Sequence, residues 1–317
     1  MTLPVLVEVV RSGVVESTHA ASVVALRPDG STALALGAVD VPVFPRSSNK
    51  PLQTAALLDA GWPAPDAETI ALATASHSGL PEHLSVVRRT LSAAGLSEDD
   101  LGCPARLPLD VDAAHALIRA GGDASPLTMN CSGKHAAMLA TCVANGWTTD
   151  GYLDPKHPVQ QAITRTIERL AGEQVKHVAV DGCGAPQHAL TLAGLARAFT
   201  RLATGDDGRT AEAMRRHPDL VGGPGREVTR LMQGIPGLVA KDGAEGVFAA
   251  ALPDGSTAAV KVADGATRAV VPVLVVALRA LGVDAPVLDE LGTSPVLGGG
   301  APVGEVRPSA LLLDALG

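Results

Sequence analysis

The chain has 317 residues and a formal charge of -8, from 25 basic and 33 acidic side chains. This balance argues against a nucleic-acid surface, which requires a basic stripe, and two Trp, one Tyr and three Phe residues leave little material for stacking bases or sugars. The length permits one large domain or two smaller ones, and a small polar substrate suits this composition.

The first segment, residues 1–11, has no basic region ahead of its apolar run, so we expect no secretory signal. The longest apolar stretch, residues 269–278, is too short to cross a membrane and predicts a buried strand or helix. We therefore expect a soluble, cytoplasmic protein that acts on neither membranes nor nucleic acids. In a reducing compartment, four cysteines indicate core, metal-binding or reactive thiols rather than a disulfide framework.

Two segments nearly repeat each other: residues 24–36 and residues 249–261 each read as strand, Pro-Asp-Gly turn, strand. Between them the pattern is mostly helical. This arrangement predicts a single α+β domain over residues 1–317, whose antiparallel sheet joins the N- and C-terminal strands around a helical middle. The alternative is that the two segments share only turn chemistry. The predicted helices cover residues 52–59, 84–94, 113–120, 134–145, 160–170, 190–203 and 211–217.

The run from Arg46 to Lys50 places a hydroxyl and an amine three residues apart, where an apolar helix begins. A serine and a lysine one helical turn apart can touch, and a neutral Lys50 amine could take the proton of Ser47 to make a nucleophile for acyl transfer. We favour Ser47 over Ser48 because only Ser47 has the three-residue offset. The alternative is that either serine caps the helix while Lys50 is solvated.

Hydroxyl side chains also cluster in residues 74–79, directly after an apolar run. Small hydroxyl residues at such a junction can line a polar pocket, which makes Ser76 a candidate. The alternative is an ordinary capped turn in which Ser76 or Ser78 binds backbone donors.

The segment Asn-Cys-Ser-Gly-Lys-His ends at His135 and leads into a helix that Gly146 terminates. It is not a P-loop, because His135 stands where Ser or Thr should follow Gly-Lys. Cys131 is a candidate nucleophile, its thiolate favoured by the helix N-terminus and by Lys134 or His135. It is equally a candidate metal ligand together with Cys183, since two thiolates suit zinc. A structural role for both cysteines stays open.

Lys261 ends the second strand of the C-terminal hairpin and shares a face with Ala259. Its amine is either solvated or directed into a site. Were it close to Lys50, like-charge repulsion would favour the neutral amine of that lysine.

Taken in order, five pieces of the chain resemble the L-asparaginase II family of the inducible rhizobial type. The similarity covers nearly the whole chain, and the most specific piece is Asn-Cys-Ser-Gly-Lys-His. The family is unrelated to the asparaginases that use threonine nucleophiles. The pieces are Arg46-Ser-Ser-Asn-Lys-Pro51, Ser76-His77, Asn130-Cys-Ser-Gly-Lys-His135, Asp181-Gly-Cys-Gly184 and Val260-Lys261.

The resemblance implies hydrolysis of L-asparagine to L-aspartate and ammonia by a homodimer. It implies an αβα sandwich similar to serine β-lactamases and glutaminases. It also implies two Ser-Lys tandems, Ser47 with Lys50 and Ser76 with Lys261. Ser47 would attack the amide with Lys50 as its base, while Ser76 and Lys261 relay protons or polarise the carbonyl.

The resemblance further implies one zinc ion per chain, bound by Cys131, Lys134 and Cys183. Asp181 would stand behind these ligands, and a water would fill the last position. A lysine binds metal only as the neutral amine, so zinc itself must displace the proton. A substrate-positioning role for the metal fits better than direct hydrolysis. The remaining candidates near the substrate or behind the ligands are Arg46 and His135.

Three other functions stay open at this stage. One is a glutaminase or another Ser-Lys acyl hydrolase. Another is a Cys131-dependent amidohydrolase, and the third is a non-catalytic zinc-binding or interaction protein.

Overall fold

A computed structural model describes residues 3–205 and 208–316. It has the predicted α+β class, with strands at both ends of the chain and helices in the middle. The strands are β1 (Val5–Arg11), β2 (Val14–Leu26), β3 (Thr32–Leu36), β4 (Pro42–Val43), β5 (Val178–Val180), β6 (Pro186–His188), β7 (Leu190–Thr191), β8 (Val239–Gly243), β9 (Val247–Ala251), β10 (Thr257–Val262), β11 (Ser294–Gly298) and β12 (Ala301–Pro308). The α-helices are α1 (Lys50–Asp59), α2 (Ala67–Ala73), α3 (Pro81–Ala93), α4 (Val111–Arg119), α5 (Ser132–Ala144), α6 (Pro158–Ala171), α7 (Leu192–Thr204), α8 (Arg209–Arg216), α9 (Pro218–Val221), α10 (Glu227–Gly234), α11 (Val270–Ala280), α12 (Pro286–Leu291) and α13 (Ala310–Asp314).

The main sheet brings the two ends of the chain together. Its strand order is β11-β12-β1-β2-β10-β9-β8, and β3 pairs with β2 beside this path. The strands pair antiparallel throughout. Val23 of β2 lies opposite Val260 of β10, so the two predicted hairpins are neighbours in one sheet. The prediction that the sheet joins the N- and C-terminal strands is therefore confirmed.

The centre of this sheet is covered on both faces. Every residue of β9 is buried, as is every residue of β10 except Lys261. Helices α7 and α11 both pack against β2 and β10, and Thr200 of α7 hydrogen-bonds to Thr257 of β10 at 3.2 Å. Strands buried on both faces read as continuous runs of Ala and Val rather than as an alternation. The result is the expected sandwich of helices, sheet and helices.

The predicted helices all form, but several begin earlier than their periodic pattern suggests. Pro81 and Pro158 occupy the first turns of α3 and α6, where a missing backbone N–H is tolerated. Residues 190–191 form β7 instead of the start of a helix, and the Thr191 hydroxyl accepts from the Gly194 N–H at 2.8 Å to cap α7. The apolar run 269–278 is mainly helix α11.

The polar run at Arg46 forms a 3-10 helix, Arg46–Asn49, that leads directly into α1. Strand β8 lies against it so closely that a Cβ at Gly243 would come within 2.4 Å of the Pro45 carbonyl oxygen. Arg46 itself adopts a φ of 53°, the left-handed region that non-glycine residues rarely occupy. Such backbone conformations concentrate at functional sites. In the described part of the chain, no helix is long and apolar enough to span a membrane.

Candidate active site

A pocket of about 610 Å³ collects residues from three of the predicted motifs. Arg46 and Ser47 come from the 3-10 helix before α1, Cys131 from the start of α5, and Asp181 and Cys183 from the turn between β5 and β6. The volume is typical of a small-molecule site. Residues that are more than a hundred positions apart in sequence therefore line one cavity.

The two adjacent serines have different surroundings. Ser48 is fully buried, and its hydroxyl donates to the Lys241 carbonyl oxygen at 3.0 Å. Ser47 is partly exposed and lines the pocket. In a 3-10 helix successive side chains point in directions about 120° apart, so only one of two neighbours can face a given side. Ser47 is thus the serine with access to a substrate in this pocket.

Lys50 is 1% exposed and contacts the second predicted serine rather than the first. Its Nζ donates to the Ala75 carbonyl oxygen at 2.5 Å and to Ser76 Oγ at 3.1 Å. Ser47 lies one helical turn before Lys50, but no hydrogen bond joins these two side chains. The observed Ser-Lys contact therefore joins Lys50 of the first predicted tandem to Ser76 of the second.

The Ser76 segment is fixed by backbone and side-chain contacts to its surroundings. The Ser76 N–H donates to the Val221 carbonyl oxygen at 3.1 Å, and the His77 N–H donates to that of Asn130 at 3.2 Å. His77 Nε2 also contacts Ser132 Oγ at 2.8 Å. This segment is therefore joined to the start of α5. Burial holds the pKa of His77 well below its usual value, which keeps the ring neutral.

The predicted pairing of Ser76 with Lys261 is not formed. The Lys261 amine donates to the Glu245 and Val262 carbonyl oxygens, and this residue lines a different cavity beside Phe44. The reason lies in the sheet, where Lys261 is opposite Ser22 and Val247 and away from the Ser76 segment.

A different lysine, Lys241 of β8, is buried next to the two serines, since its carbonyl oxygen accepts from Ser48 Oγ. It is 0% exposed and forms an ion pair with Asp242. Burial lowers the pKa of Lys241 to about 8, helped by repulsion from Lys50 and Arg226 and opposed by Asp242. Lys241 is not among the residues predicted from the sequence, although a lysine directly after the apolar run Leu238-Val239-Ala240 is an unusual strand residue that could have indicated it.

Arg226 connects this lysine to the Ser76 segment. Its guanidinium donates to the Ser76 carbonyl oxygen at 2.6 Å and to Asp242 Oδ2 at 2.5 Å. Although desolvation favours the protonated acid, the charges of Lys241 and Arg226 lower the pKa of Asp242 to about 2. Lys241, Asp242 and Arg226 therefore form one charged network that ends at the backbone of Ser76.

Two thiols and an amine meet on the other side of the pocket. Lys134 is 2% exposed, and its Nζ donates to Cys183 Sγ at 3.2 Å. A hydrogen bond from the Cys131 thiol, with Lys134 beside it, keeps the pKa of Cys183 far below its usual value despite burial. The same hydrogen bond, together with burial, raises the pKa of Cys131. Burial alone would lower the pKa of Lys134, but the sulfurs and Asp181 raise it.

This cluster can supply three donors to a metal ion. Among residues 3–205 and 208–316, no three His, Cys, Asp or Glu side chains are grouped as a metal site. The present set differs because its third donor is the amine of Lys134. Two sulfurs and a nitrogen are donors that zinc accepts, so Cys131, Lys134 and Cys183 fit such an ion. All four cysteines of the chain are free thiols, as the composition predicts.

Arg46 and His135 lie around the cluster of Cys131, Lys134 and Cys183 and contact its neighbours. Arg46 Nε donates to Asp181 Oδ1 at 2.8 Å, and Arg46 Nη1 lies 3.8 Å from Glu245 Oε1. Asp181 is in turn close to Cys183, with its Oδ2 at 3.8 Å from the sulfur. His135 Nδ1 contacts the Tyr152 hydroxyl at 2.6 Å. Burial lowers the pKa of His135, while the neighbouring Cys183 opposes this change.

The comparison with protein families gives a match over nearly the whole chain. The model of the L-asparaginase II family matches residues 7–308. The chain belongs to the L-asparaginase II family. Membership implies a hydrolase that acts on amides, and it agrees with the motifs that line the pocket of this L-asparaginase II protein.

No curated protein sequence matches the chain. Among solved structures, the chain is similar to a protein from Bacteroides dorei DSM 17855 proposed to be a beta-lactamase. The identity is 16%, the match covers 78% of this chain and 88% of that chain, and the TM-score is 0.41.

Proposed function

We propose that this protein hydrolyses the side-chain amide of L-asparagine to L-aspartate and ammonia, with Ser47 as the nucleophile. The observation that carries the proposal is the position of Ser47. It lines the pocket shared with Cys131 and Cys183 and lies one helical turn from a buried lysine. Family membership indicates a reaction on amides, and a pocket of about 610 Å³ with the charged side chains of Arg46, Arg106 and Asp181 in its wall suits an amino acid.

In this mechanism Ser47 Oγ attacks the side-chain carbonyl carbon, and its proton passes to the neutral amine of Lys50. The carbon–nitrogen bond breaks when the amide nitrogen takes up a proton and leaves as ammonia. Water then attacks the β-aspartyl ester, which releases L-aspartate and restores the hydroxyl. Ser76 Oγ lies 3.1 Å from Lys50 Nζ, so Ser76 is within hydrogen-bond distance to exchange the proton that Lys50 has accepted.

We assign to Lys241 the role predicted from the sequence for Lys261, which is to relay protons or polarise the carbonyl together with Ser76. Repulsion from Lys50 is one of the causes that lower the pKa of Lys241, so it favours the neutral amine of Lys241. Lys241 then holds a proton or polarises the carbonyl together with Ser76. The Ser48 N–H donates to the Pro45 carbonyl oxygen at 3.1 Å, which leaves the Ser47 N–H as the oxyanion donor.

We also propose one zinc ion per chain, held by Cys131, Lys134 and Cys183. The 3.2 Å contact between Lys134 Nζ and Cys183 Sγ, with Cys131 and Cys183 in the wall of the same pocket, supports the assignment. Zinc bound there would supply a positive charge that orients a polar group of the substrate. Zinc would replace the proton on Lys134, because a lysine coordinates only as the neutral amine. A homodimer, as the family resemblance implies, completes the proposal, and light scattering of the purified protein measures the oligomeric state.

The test is ammonia release from L-asparagine and L-glutamine by the wild-type protein and by Ser47→Ala. We expect release from L-asparagine and its loss in the variant, because no other group replaces the nucleophile. Ser48→Ala is the matched comparison, since it removes the same atom from the buried neighbour; it loses only the hydrogen bond to the Lys241 carbonyl oxygen and should retain part of the turnover. Full activity in Ser47→Ala would contradict the assignment of the nucleophile.

The same assay separates the other functions. Faster release from L-glutamine would indicate a glutaminase, and turnover of a chromogenic ester alone would indicate another acyl hydrolase. Inactivation by a thiol alkylator after removal of metal would favour a Cys131 nucleophile. A protein that binds one metal per chain and hydrolyses no amide would have the non-catalytic role.

A further inference from the structure

The two arginines that line the pocket differ in their partners. Arg46 is paired with Asp181 at 2.8 Å and has Glu245 nearby at 3.8 Å. The other anionic group of the wall, the Cys183 thiolate, accepts from Lys134 Nζ at 3.2 Å. The lining anions therefore already have cationic partners, and Arg106 is the lining cation that none of them contacts.

Arg106 has a fixed backbone and a free guanidinium. Its N–H donates to the Ser125 carbonyl oxygen at 3.2 Å, and its own carbonyl oxygen accepts from the Thr128 hydroxyl at 2.5 Å. Within residues 3–205 and 208–316, its side chain makes no hydrogen bond or ion pair. The residue is exposed, so its side chain stays charged and available to a ligand. The neighbouring wall residues Leu107 and Leu109 offer no competing anion.

The proposed substrate supplies the missing anion. A free amino acid carries an α-carboxylate at neutral pH, and a guanidinium binds a carboxylate through two parallel, charge-assisted hydrogen bonds. We propose that Arg106 binds the α-carboxylate of the substrate and thereby selects free amino acids over amides that lack this group. This inference rests on the proposed function, because it specifies which end of asparagine is held away from Ser47.

The assignment predicts a specific change in substrate preference. β-Alaninamide is the matched probe, since it is L-asparagine without the α-carboxylate and releases ammonia from the same amide. Arg106→Gln should lower kcat/KM for L-asparagine roughly 10- to 100-fold, the range for a lost hydrogen bond to a charged group. The value for β-alaninamide should stay unchanged, and Arg106→Lys should keep part of the preference. Most of the loss should be in KM, as expected for a contact made in both ground and transition states.

Arg119→Gln is the control, because Arg119 is an exposed arginine at the end of α4 that is not among the residues lining the pocket. It should leave both substrates unaffected. An equal loss for both substrates in Arg106→Gln, or no loss for either, would overturn the assignment.

A binding measurement separates this inference from the proposed reaction. Calorimetry with L-aspartate should show binding to the wild type and to Arg119→Gln, and at least 10-fold weaker binding to Arg106→Gln, by roughly the same charge-assisted contact. If the wild type releases no ammonia but this difference in binding is found, the reaction is wrong and the role of Arg106 holds. Equal affinity in all three proteins, or no binding to the wild type, overturns the role of Arg106.

Discussion

Three almost fully buried lysines define the chemistry of the site at the scale of single residues. Lys50 is 1%, Lys134 2% and Lys241 0% exposed. Burying an ammonium ion costs several kcal/mol unless it is paired. A different partner contacts each amine. The amine of Lys50 donates to oxygens of Ala75 and Ser76, that of Lys134 donates to a sulfur, and that of Lys241 pairs with a carboxylate. Each lysine is joined by sequence or by a hydrogen bond to a candidate site segment, and buried charged groups of this kind are typical of functional sites.

The first prediction at this scale concerns pH. Burial lowers the pKa of Lys241 to about 8, so its neutral form gains population as the pH rises through this value. If the neutral amine accepts a proton in the reaction, kcat/KM should increase with pH and level off above about 8. Arg226→Gln removes one of the charges that lower the pKa of Lys241, so the rise should move to higher pH.

The measurement is the pH profile of kcat/KM for the wild type, Lys241→Gln and Lys261→Gln. Lys241→Gln should lose most of its activity and the rising limb. Lys261→Gln, which removes the lysine beside Glu245, should keep the wild-type profile. A wild-type profile that is flat around the pKa of Lys241 would argue against a titrating role for this amine.

A second prediction concerns the metal. Cys183→Ala removes one of the two sulfur donors, so we expect the zinc content to fall from one ion per chain to near zero. Cys142→Ala is the matched control, because Cys142 is a buried thiol of α5 outside the cluster. Elemental analysis of the dialysed proteins measures this directly. A wild-type chain without zinc, or Cys183→Ala with unchanged zinc, would refute the ligand set.

At the scale of elements, the contact between β8 and the 3-10 helix before α1 aligns the site. It brings Lys241 of β8 next to the serines and Lys50 at the start of α1, since Ser48 Oγ donates to the Lys241 carbonyl oxygen at 3.0 Å. Gly243 permits this contact because any side chain there would strike Pro45 and Ser48. The turn between β5 and β6 and the start of α5 supply the opposite side of the pocket.

Gly243→Ala tests this contact. Its Cβ would lie 2.4 Å from the Pro45 carbonyl oxygen and 2.9 Å from Ser48 Oγ, so β8 or the 3-10 helix must move. We expect a loss of about 1–3 kcal/mol in the free energy of unfolding and a marked decrease in kcat, because Ser47 and Lys241 shift relative to each other. Urea denaturation and steady-state kinetics provide both values.

Gly208→Ala is the control for the same change elsewhere. Among residues 3–205 and 208–316, the nearest atom to the added Cβ is 3.9 Å away, so stability and kcat should stay much closer to those of the wild type. If Gly243→Ala behaved in the same way, the close approach of β8 would not be what aligns the site.

At the scale of the whole molecule, the sheet connects the two ends of the chain while the helical middle supplies one side of the pocket. β1 pairs with β12 and β2 pairs with β10, so neither end can complete the sheet alone. Cys131 comes from the helical middle and Ser47 from the connection between sheet and helices. The site thus requires both parts, which agrees with the single domain over residues 1–317 that stays a prediction.

Local sequence patterns predicted most of the strands and helices and several of the candidate site residues. Pro-Asp-Gly turns between apolar runs predicted both hairpins, and the helical period predicted the longer helices. The helical period did not predict the short helices α2, α9, α12 and α13, because one or two turns contain too few positions to display a period. Motif spacing selected Ser47, and the motifs around Cys131 and Cys183 predicted thiols that meet in one pocket.

Only the tertiary structure decided which amines and hydroxyls are partners. Lys241 and Lys261 both lie in strands of the C-terminal part of the sheet, and each directly follows a run of apolar residues. The difference arises because β8 packs against the 3-10 helix, while the Lys261 amine reaches the Glu245 carbonyl oxygen. A strand sequence specifies which residues share a face, but not which distant segment that face meets.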